Sequence, residues 1–258
     1  MTSLNSILGL IALVTLLTGA ISGIALAPQV SKPFSDVENL IQGLGVLCKK
    51  SVYRNDTINI DDLKALEVTV KSGKVMVGSG EPRIIVYTFR GVLCGSNLRE
   101  PRWNLMVEDE SIILELREGI VELYLQPGQL ESLKVKVESG VIDLDLENLE
   151  NLEVSEVEVS SGVAVISLSG LASIYNYTIN IESGVANIDL DFKESHKGYL
   201  YADVASGQLN LDMKGDVDAC LESSKITSGL ATIDLPEKCT QDSLRVRVNV
   251  ASGIASIG

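Results

Sequence analysis

A Ser-Gly pair returns at nearly constant spacing along the second half of this 258-residue chain. The glycines of these pairs are Gly140, Gly162, Gly184, Gly207, Gly229 and Gly253. The intervals between them are 22, 22, 23, 22 and 24 residues. A unit of about 22 residues cannot bury its own apolar face, so this period indicates stacked copies of one structural unit.

The same period extends towards the N-terminus. Glu118-Gly119 precedes Gly140 by 21 residues, and Ser72-Gly73 precedes Gly119 by 46 residues, which equals two intervals of 23. We therefore predict that the repeat covers residues 61–258, with one degenerate coil around Gly95.

The residues that flank each glycine alternate in polarity. In the unit of Gly184, the second, fourth and sixth residues after the glycine are Ala186, Ile188 and Leu190, and polar residues separate them. This alternation is typical of a strand with one buried face. Each unit is predicted to contain a strand, a Ser-Gly bend, a second strand and a return loop. The glycine is expected to supply a positive φ at the bend.

Units of this kind predict an all-β fold: a single-stranded β-solenoid (β-helix) with coils of about 22 residues, preceded by an N-terminal hydrophobic helix. The aromatic content of 4% agrees with a narrow core that leaves little room in each layer. An antiparallel β-sandwich, which also has short alternating strands, is the competing architecture. The nearly constant repeat length and the recurrence of residue types at matching offsets favour the solenoid.

The repeat also resembles a known family. The pattern Val-x-x-Ser-Gly-Val-x-x-Ile-x-Leu, as in residues 137–146 and 181–190, is similar to that of the candidate adhesin domains of bacteria and archaea. These are β-helical domains of unknown function, distantly similar to toast-rack and bactofilin-type solenoids. The resemblance covers roughly residues 66–258. It implies association with the cell surface or envelope, and it supplies no functional residues.

Residues 1–28 are predicted to be a signal peptide or a membrane anchor. The run over residues 7–27 is uncharged and long enough to cross a hydrocarbon core of about 30 Å. Ala25-Leu26-Ala27 resembles a signal-peptidase site, although Pro28 follows it directly. Either interpretation predicts an extracellular or cell-surface protein, secreted or held in the membrane through residues 7–27. A buried core helix is the alternative.

Residues 29–60 are predicted to be a linker with a short helix that caps the first coil. Apolar residues recur at helical spacing over residues 32–51, and Ser35 or Asp36 is suited to the N-cap position. The alternative is a plain linker that leaves the membrane.

Cysteine usage is compatible with export. The four cysteines are Cys48, Cys94, Cys220 and Cys239, and none belongs to a C-x-x-C pair. Short loop closure favours disulfides between Cys220 and Cys239 and between Cys48 and Cys94, but three pairings stay open, as do four buried free thiols. Asn55 and Asn176 each begin an N-glycosylation sequon.

Composition argues against several classes of function. The net charge of −14 argues against nucleic-acid binding, which normally requires a basic face. The only histidine, His196, leaves no basis for a site that needs several imidazoles. We expect no cofactor.

Three aspartates share one offset in the repeat. Asp189, Asp212 and Asp234 each lie five residues after the glycine of their unit. In units stacked in chain order, their carboxylates would lie about 5 Å apart along one ladder. Such a ladder suggests a calcium site, because Ca²⁺ binds carboxylate oxygens. The alternative is an acidic face in contact with solvent.

No pair of carboxylates stands out from the repeat, so we expect a protein that is not an enzyme and has a structural or adhesive role. The alternative is a carbohydrate-binding or carbohydrate-active protein, which would need exposed aromatic side chains. The tyrosines of the repeat region are Tyr124, Tyr175, Tyr177, Tyr199 and Tyr201. The last unit, residues 250–258, stops in mid-strand with no capping sequence. We therefore predict self-association, or pairing with a partner, at the C-terminal edge of the solenoid.

Overall fold

Alternating apolar residues produce short strands throughout the structure, because each strand can bury one face. The computed structural model describes residues 48–60, 62–91, 101–108, 110–172, 176–193, 197–236, 239–240 and 242–258. Contacts group residues 50–258 into one compact unit. The predicted N-terminal hydrophobic helix, the signal peptide or anchor over residues 1–28 and the start of the linker lie outside the described residues.

The described residues form nineteen strands and no helix, which confirms the all-β prediction. The strands are β1 (Cys48–Thr57), β2 (Ala65–Val70), β3 (Lys74–Ser79), β4 (Arg83–Gly91), β5 (Arg102–Glu108), β6 (Ser111–Glu118), β7 (Ile120–Leu125), β8 (Ser132–Val137), β9 (Val141–Leu146), β10 (Val154–Val159), β11 (Val163–Leu171), β12 (Asn176–Ile181), β13 (Val185–Phe192), β14 (Gly198–Val204), β15 (Gln208–Gly215), β16 (Ala219–Ile226), β17 (Leu230–Ile233), β18 (Leu244–Val250) and β19 (Ile254–Ile257).

These strands build two sheets. The ten-stranded sheet has the order β1-β4-β7-β3-β9-β11-β13-β15-β19-β17, and the nine-stranded sheet has the order β16-β18-β14-β12-β10-β8-β2-β6-β5. Neighbouring repeat strands run parallel, for example β10 with β12 and β11 with β13. Parallel pairing of consecutive repeats contradicts the antiparallel sandwich, in which neighbouring strands would alternate in direction.

Each bend joins one strand of each sheet, and we call such a strand pair a layer. In chain order the eight layers are β2–β3, β6–β7, β8–β9, β10–β11, β12–β13, β14–β15, β16–β17 and β18–β19. In space, β2–β3 lies between β6–β7 and β8–β9, and β18–β19 lies between β14–β15 and β16–β17. The layers were expected to follow chain order, but the first two and the last two are exchanged.

Gly95 lies outside the described residues, but the strands on either side of it do not pair as a coil of the repeat. Instead, β4 pairs antiparallel with β7, and β5 pairs antiparallel with β6. These strands cover the outer edges of the β6–β7 layer in both sheets. The distance of 46 residues between Gly73 and Gly119 therefore reflects an inserted cap and not two coils. In the same way, residues 48–57, expected to belong to a linker, form β1 beside β4.

The core lies between the two sheets and is built from the inward-facing residues of every layer. In β11, for example, Ala164, Ile166 and Leu168 are at most 1% exposed, while the residues between them are half-buried. Burial of each aliphatic side chain contributes about 1.5–3 kcal/mol, so successive layers stabilise one another.

The repeated glycines form a column along the bends. A Cβ at Gly184 would lie 2.6 Å from the carbonyl oxygen of Gly162 and closer still to Cγ1 of Val159. Of the eight bend glycines, only Gly73 and Gly119 have a positive φ. The expectation that positive φ explains the repeated glycine is therefore wrong for the six Ser-Gly units from Gly140 onward, where close stacking on the neighbouring bend excludes a side chain.

The serine before each of these glycines ties one layer to the next. Ser183 donates its Oγ hydrogen to the carbonyl oxygen of Ser160 at 2.8 Å, and its backbone amide donates to the same oxygen at 2.8 Å. The equivalent side-chain bond recurs at Ser139, Ser161, Ser206, Ser228 and Ser252. Because the acceptor belongs to the adjacent layer, this ladder follows the spatial order of the layers.

Two polar side chains interrupt the core. Ser155 of β10 is paired in register with Tyr177 of β12, and both are about 1% exposed. Neither hydroxyl has a hydrogen-bond partner among the described atoms. Burial raises the pKa of Tyr177.

We expect Tyr177→Phe to leave the free energy of unfolding unchanged or to raise it by about 1 kcal/mol, because it removes an unpaired buried hydroxyl. Tyr177→Ala should instead lower it by about 3–5 kcal/mol through the cavity it leaves. Urea unfolding of both variants measures the two values. A loss of stability in Tyr177→Phe would mean that the hydroxyl has a partner in solution.

The cap strand β4 is held to β7 by a hydrogen bond that depends on pH. Tyr87 donates its hydroxyl hydrogen to Oε2 of Glu122 at 2.8 Å. Burial and this hydrogen bond raise the pKa of Tyr87 from 10.0 to about 12. Because the pKa is raised in the folded state, the stabilisation is fully present below pH 10 and is lost as the pH rises towards 12.

We expect the wild-type protein to be more stable than Tyr87→Phe by about 1 kcal/mol at pH 8. This value is small for a hydrogen bond to a charged group because Tyr87 and Glu122 are partly exposed to solvent. The difference should disappear as the pH rises from 10 to 12. Parallel thermal unfolding of the two proteins across this pH range provides the measurement. A difference that stays constant to pH 12 would disprove the role of the Tyr87 proton.

Candidate functional site

The outer face of the nine-stranded sheet changes character along the stack. Near β8 and β10 it carries ion pairs between neighbouring layers: Lys134 lies 3.4 Å from Glu156, and Lys136 lies 2.9 Å from Glu158. Side chains of all four residues are at least 30% exposed. Exposed ion pairs of this kind contribute little stability, about 0–1 kcal/mol each. This part of the face is a polar surface with regular charge alternation.

The pattern breaks at β14, β18 and β16, where aromatic and basic side chains meet. The register places Tyr199 beside Arg245 and Tyr201 beside Arg247. The two tyrosine rings stack with centroids 5.9 Å apart and planes 19° apart. The guanidinium of Arg247 lies 5.8 Å from the Tyr199 ring centroid and 5.4 Å from that of Tyr201. We call these four residues, together with Glu222, the tyrosine–arginine cluster.

Glu222 of β16 forms ion pairs with both arginines. Its carboxylate accepts a hydrogen bond from Nε of Arg247 at 2.5 Å and lies 3.5 Å from Nη1 of Arg245. The hydrogen bond from Arg247 is the main cause that lowers the pKa of Glu222, and the charge of Arg245 adds to it. The same pair raises the pKa of Arg247. Two guanidinium groups against one carboxylate leave the cluster with a net positive charge of one.

The surface next to the cluster offers further polar groups. On β12, Asn176 pairs in register with Tyr199, Thr178 with Tyr201, and Asn180 with Asp203. Tyr199 is 37% exposed. An aromatic pair with an amide, a hydroxyl and a guanidinium beside it can bind a ligand that has both apolar and polar faces.

The cluster exists because the last two layers are exchanged. With layers in chain order, β14 would lie beside β16, and Tyr201 would face a residue of that strand. Insertion of β18 brings Arg247 next to Tyr201 instead. The sequence carries a signal for this match, since Tyr201 and Arg247 both lie six residues before the glycine of their unit. The tyrosines were candidates for ligand contacts from the sequence, but their proximity to the arginines was not predicted.

Two of the other tyrosines predicted as candidates, Tyr124 and Tyr177, do not join this surface. Tyr177 is buried in the core, Tyr124 lies on β7 under the guanidinium of Arg83 at 4.5 Å, and Tyr175 lies outside the described residues. His196 also lies outside them.

The expected ladder of Asp189, Asp212 and Asp234 is interrupted. Asp189 and Asp212 are paired in register on β13 and β15, but β19 separates β15 from β17, after which Asp234 follows. The three carboxylates therefore do not lie on consecutive strands. Lys214 lies 2.8 Å from Asp212 and 3.7 Å from Asp189, and the hydrogen bond to Asp212 raises the pKa of Lys214.

Within the part of the chain that the structure describes, no group of three or more His, Cys, Asp or Glu side chains is arranged to hold a metal ion. These same residues also contain no helix that is long and apolar enough to cross a membrane. The predicted anchor over residues 7–27 lies outside them.

Cys220 and Cys239 form a disulfide across 19 residues of sequence. Cys220 lies in β16 and is fully buried, and Cys239 follows β17, so the bond closes the outermost layer. The pairing of Cys48 with Cys94 stays a prediction, because Cys94 and the side chain of Cys48 lie outside the description.

Both sequon asparagines are exposed. Asn55 lies on β1, and Asn176 is the first residue of β12. Their modification stays a prediction.

The C-terminal residues do not form the end of the stack. Residues 250–258 were expected to present an uncapped edge, but β19 pairs with β15 on one side and with β17 on the other. The chain terminus is therefore enclosed by neighbouring strands, and β16 and β17 are the outermost strands at this end.

No family model matches the chain, and no curated protein matches it. Two solved structures are similar at 10% sequence identity. The first is a candidate cell adhesion protein from Clostridium sporogenes ATCC 15579, with a TM-score of 0.40 over 81% of this chain and 98% of that one. The second is a candidate adhesin from Bacteroides fragilis NCTC 9343, with a TM-score of 0.32 over 81% of this chain and 97% of that one. Similarity of this degree shows neither a shared family nor a shared activity.

Proposed function

We propose that the protein is a β-solenoid of the cell surface or extracellular space, which acts through contacts made by its outer faces and has no enzymatic activity. The observation that carries this proposal is the tyrosine–arginine cluster, where the charge pattern of the nine-stranded sheet gives way to stacked aromatic rings. Aromatic and arginine side chains are enriched where proteins bind one another.

The layered scaffold supports a contact function. Parallel layers with a shared apolar core hold the outer side chains in fixed rows, so a binding surface on them loses little conformational entropy. The disulfide between Cys220 and Cys239 supports an oxidising compartment, since such bonds persist mainly in exported proteins.

The test is binding of the fluorescently labelled, purified full-length protein to isolated cell envelopes of its source organism. Tyr199→Ala combined with Tyr201→Ala should weaken binding about tenfold or more, because two aromatic anchors are removed. Lys134→Ala combined with Glu156→Ala, on the same face but outside the cluster, is the matched control and should bind like the wild type. Equal binding by all three proteins would overturn the role of the cluster.

Carbohydrate binding is the second candidate, and the polar groups beside Tyr199 and Tyr201 favour it. A sugar ring could stack its apolar face on an exposed tyrosine while Asn176, Thr178 or Arg247 binds its hydroxyl groups. A glycan array probed with the wild type and with the double tyrosine variant separates the two candidates. Signals that vanish in the variant support carbohydrate as the ligand, and an array without signal contradicts it.

A further inference from the structure

The outermost layer, β16–β17, leaves backbone groups available in both sheets. Leu230 and Asp234 direct their amides to β19, so the alternate residues Ala231 and Ile233 direct their backbone groups away from it. No other described strand pairs with β17 or with the outer side of β16. An edge of this kind is a template for another strand.

Of the described residues that follow β17, Pro236 covers part of the β16 edge. The carbonyl oxygen of Pro236 accepts a hydrogen bond from the amide of Leu221 at 2.9 Å, and the adjacent disulfide holds this loop in place. Further along the chain, the amide of Thr227 donates a hydrogen bond to the carbonyl oxygen of Val250. Because backbone groups alternate in direction along a strand, those of Ser224 and Ile226 face outward. Among the described residues, the part of β16 next to the bend is therefore the open part of this edge.

Apolar side chains surround this open edge. Leu230 is 62% exposed and Ile226 is 45% exposed. Leu221, Ala231 and Ile233 pack on the core but are only partly buried, because no further layer covers them. Exposed apolar side chains that flank an open strand edge favour pairing with another chain.

The charge of this end permits two copies to approach. Residues 219–258 contain four acidic and four basic residues, so their formal charge is zero, whereas the whole chain carries −14. Elsewhere the acidic surface of one copy repels that of another, and this end is free of that net repulsion.

We propose that two copies of the protein join end to end through their β16–β17 layers, related by a two-fold axis. The partner layer would pair with the outward backbone groups of both sheets and cover Ile226 and Leu230. A head-to-tail stack is disfavoured because the opposite end of the sheets terminates in the antiparallel strands β4 and β5 and in β1, from which the chain continues to residues 1–47. Symmetric dimers are the commonest closed assemblies. This inference rests on the proposed contact function and names a second copy as one partner.

The experiment is sedimentation equilibrium of the full-length protein and of two variants over a concentration series. Leu230→Lys should raise the dimer dissociation constant about 100-fold, since it places a charge in the apolar contact. Val154→Lys is the matched control, because Val154 is 44% exposed and lies on β10, away from both ends. It should dimerise like the wild type.

Hydrogen exchange of the same proteins locates the contact. Amides of Ala231 and Ile233 should gain protection with rising concentration in the wild type and in Val154→Lys, but not in Leu230→Lys. Circular dichroism confirms that each variant is folded. A wild type that is monomeric at all concentrations, an association unaffected by Leu230→Lys, or growth into long filaments would overturn the proposal.

The outcome can be separated from that of the envelope-binding test. A monomer that binds envelopes through the tyrosine–arginine cluster would overturn self-association alone. A dimer that binds no envelope would overturn only the proposed contact function.

Discussion

Replacing Gly184 with alanine is expected to lower the free energy of unfolding by about 3 kcal/mol or more. The new Cβ would lie 2.6 Å from the carbonyl oxygen of Gly162, which is backbone and cannot rotate away. Relief requires separation of two central layers, which breaks the serine hydrogen bonds and the core contacts around the bend. Urea unfolding measures the loss.

Gly128→Ala is the matched control for this substitution. Gly128 lies in the loop between β7 and β8, and a Cβ there would meet no atom within 4 Å. The free energy of unfolding of Gly128→Ala should differ from that of the wild type by less than about 0.5 kcal/mol, as for other surface substitutions. If Gly184→Ala were as stable as Gly128→Ala, the bends would not be in contact.

Loss of the disulfide is expected to have the second largest effect. Replacing Cys220 and Cys239 with alanine should lower the free energy of unfolding by about 3 kcal/mol, because the bond closes a loop of 19 residues. The effect should be local at first. Since β16–β17 has a neighbouring layer on one side only, it should open before the layers further inside.

Hydrogen exchange followed by mass spectrometry measures this local opening. Exchange should rise in residues 219–235 and stay unchanged in β12 and β13. Reducing agent should reproduce the effect in the wild type, and in the double alanine variant it should cause no further change in these residues. Uniform exchange across all layers would contradict independent opening of the outermost layer.

The repeat predicts the strands and their burial because both are local properties. Alternation after Gly184 correctly places Ala186, Ile188 and Leu190 in the core, since a strand with one buried face has a period of two. It also predicts the bend, although the glycine is required there by close contact with the neighbouring bend and not by a positive φ. The sequence of one unit contains no information on how closely its bend approaches the next, so steric exclusion could not be separated from positive φ.

The order of layers could not be predicted from the repeat. The units share the inward apolar pattern, and β17 and β19 have four residues each, so β15 can accept either of them as a neighbour with an equally apolar core. The difference lies in the outward residues. In chain order, Asp212 and Asp234 would be neighbours, and like charges across strands are destabilising by about 0.2–1 kcal/mol. With β19 between β15 and β17, the two aspartates are separated. In the nine-stranded sheet, the same exchange places Arg247 of β18 beside Tyr201 of β14.

The antiparallel cap formed by β4 and β5 was not predicted, for a different reason. Residues 83–108 lie in the interval between Gly73 and Gly119, which equals two repeat lengths, so spacing alone could not distinguish an insertion from a degenerate coil. The absence of a Ser-Gly pair near Gly95 was the available signal.

The tyrosine–arginine cluster and the open β16–β17 end both depend on the exchanged order of the last two layers. Two double-cysteine variants test it on the outer face of the ten-stranded sheet. Asn210 and Ser256 are register partners on neighbouring strands, whereas Thr232 lies one strand further from Asn210. Neighbouring strands are about 4.8 Å apart and second neighbours about 10 Å, and a disulfide requires Cα atoms within about 7 Å.

The measurement is disulfide formation under mild oxidation, mapped by mass spectrometry of peptides. Asn210→Cys with Ser256→Cys should form the new bond readily, and Asn210→Cys with Thr232→Cys should not. The reverse result, a bond between positions 210 and 232 and none between 210 and 256, would show that the layers follow chain order and that the exchange is wrong.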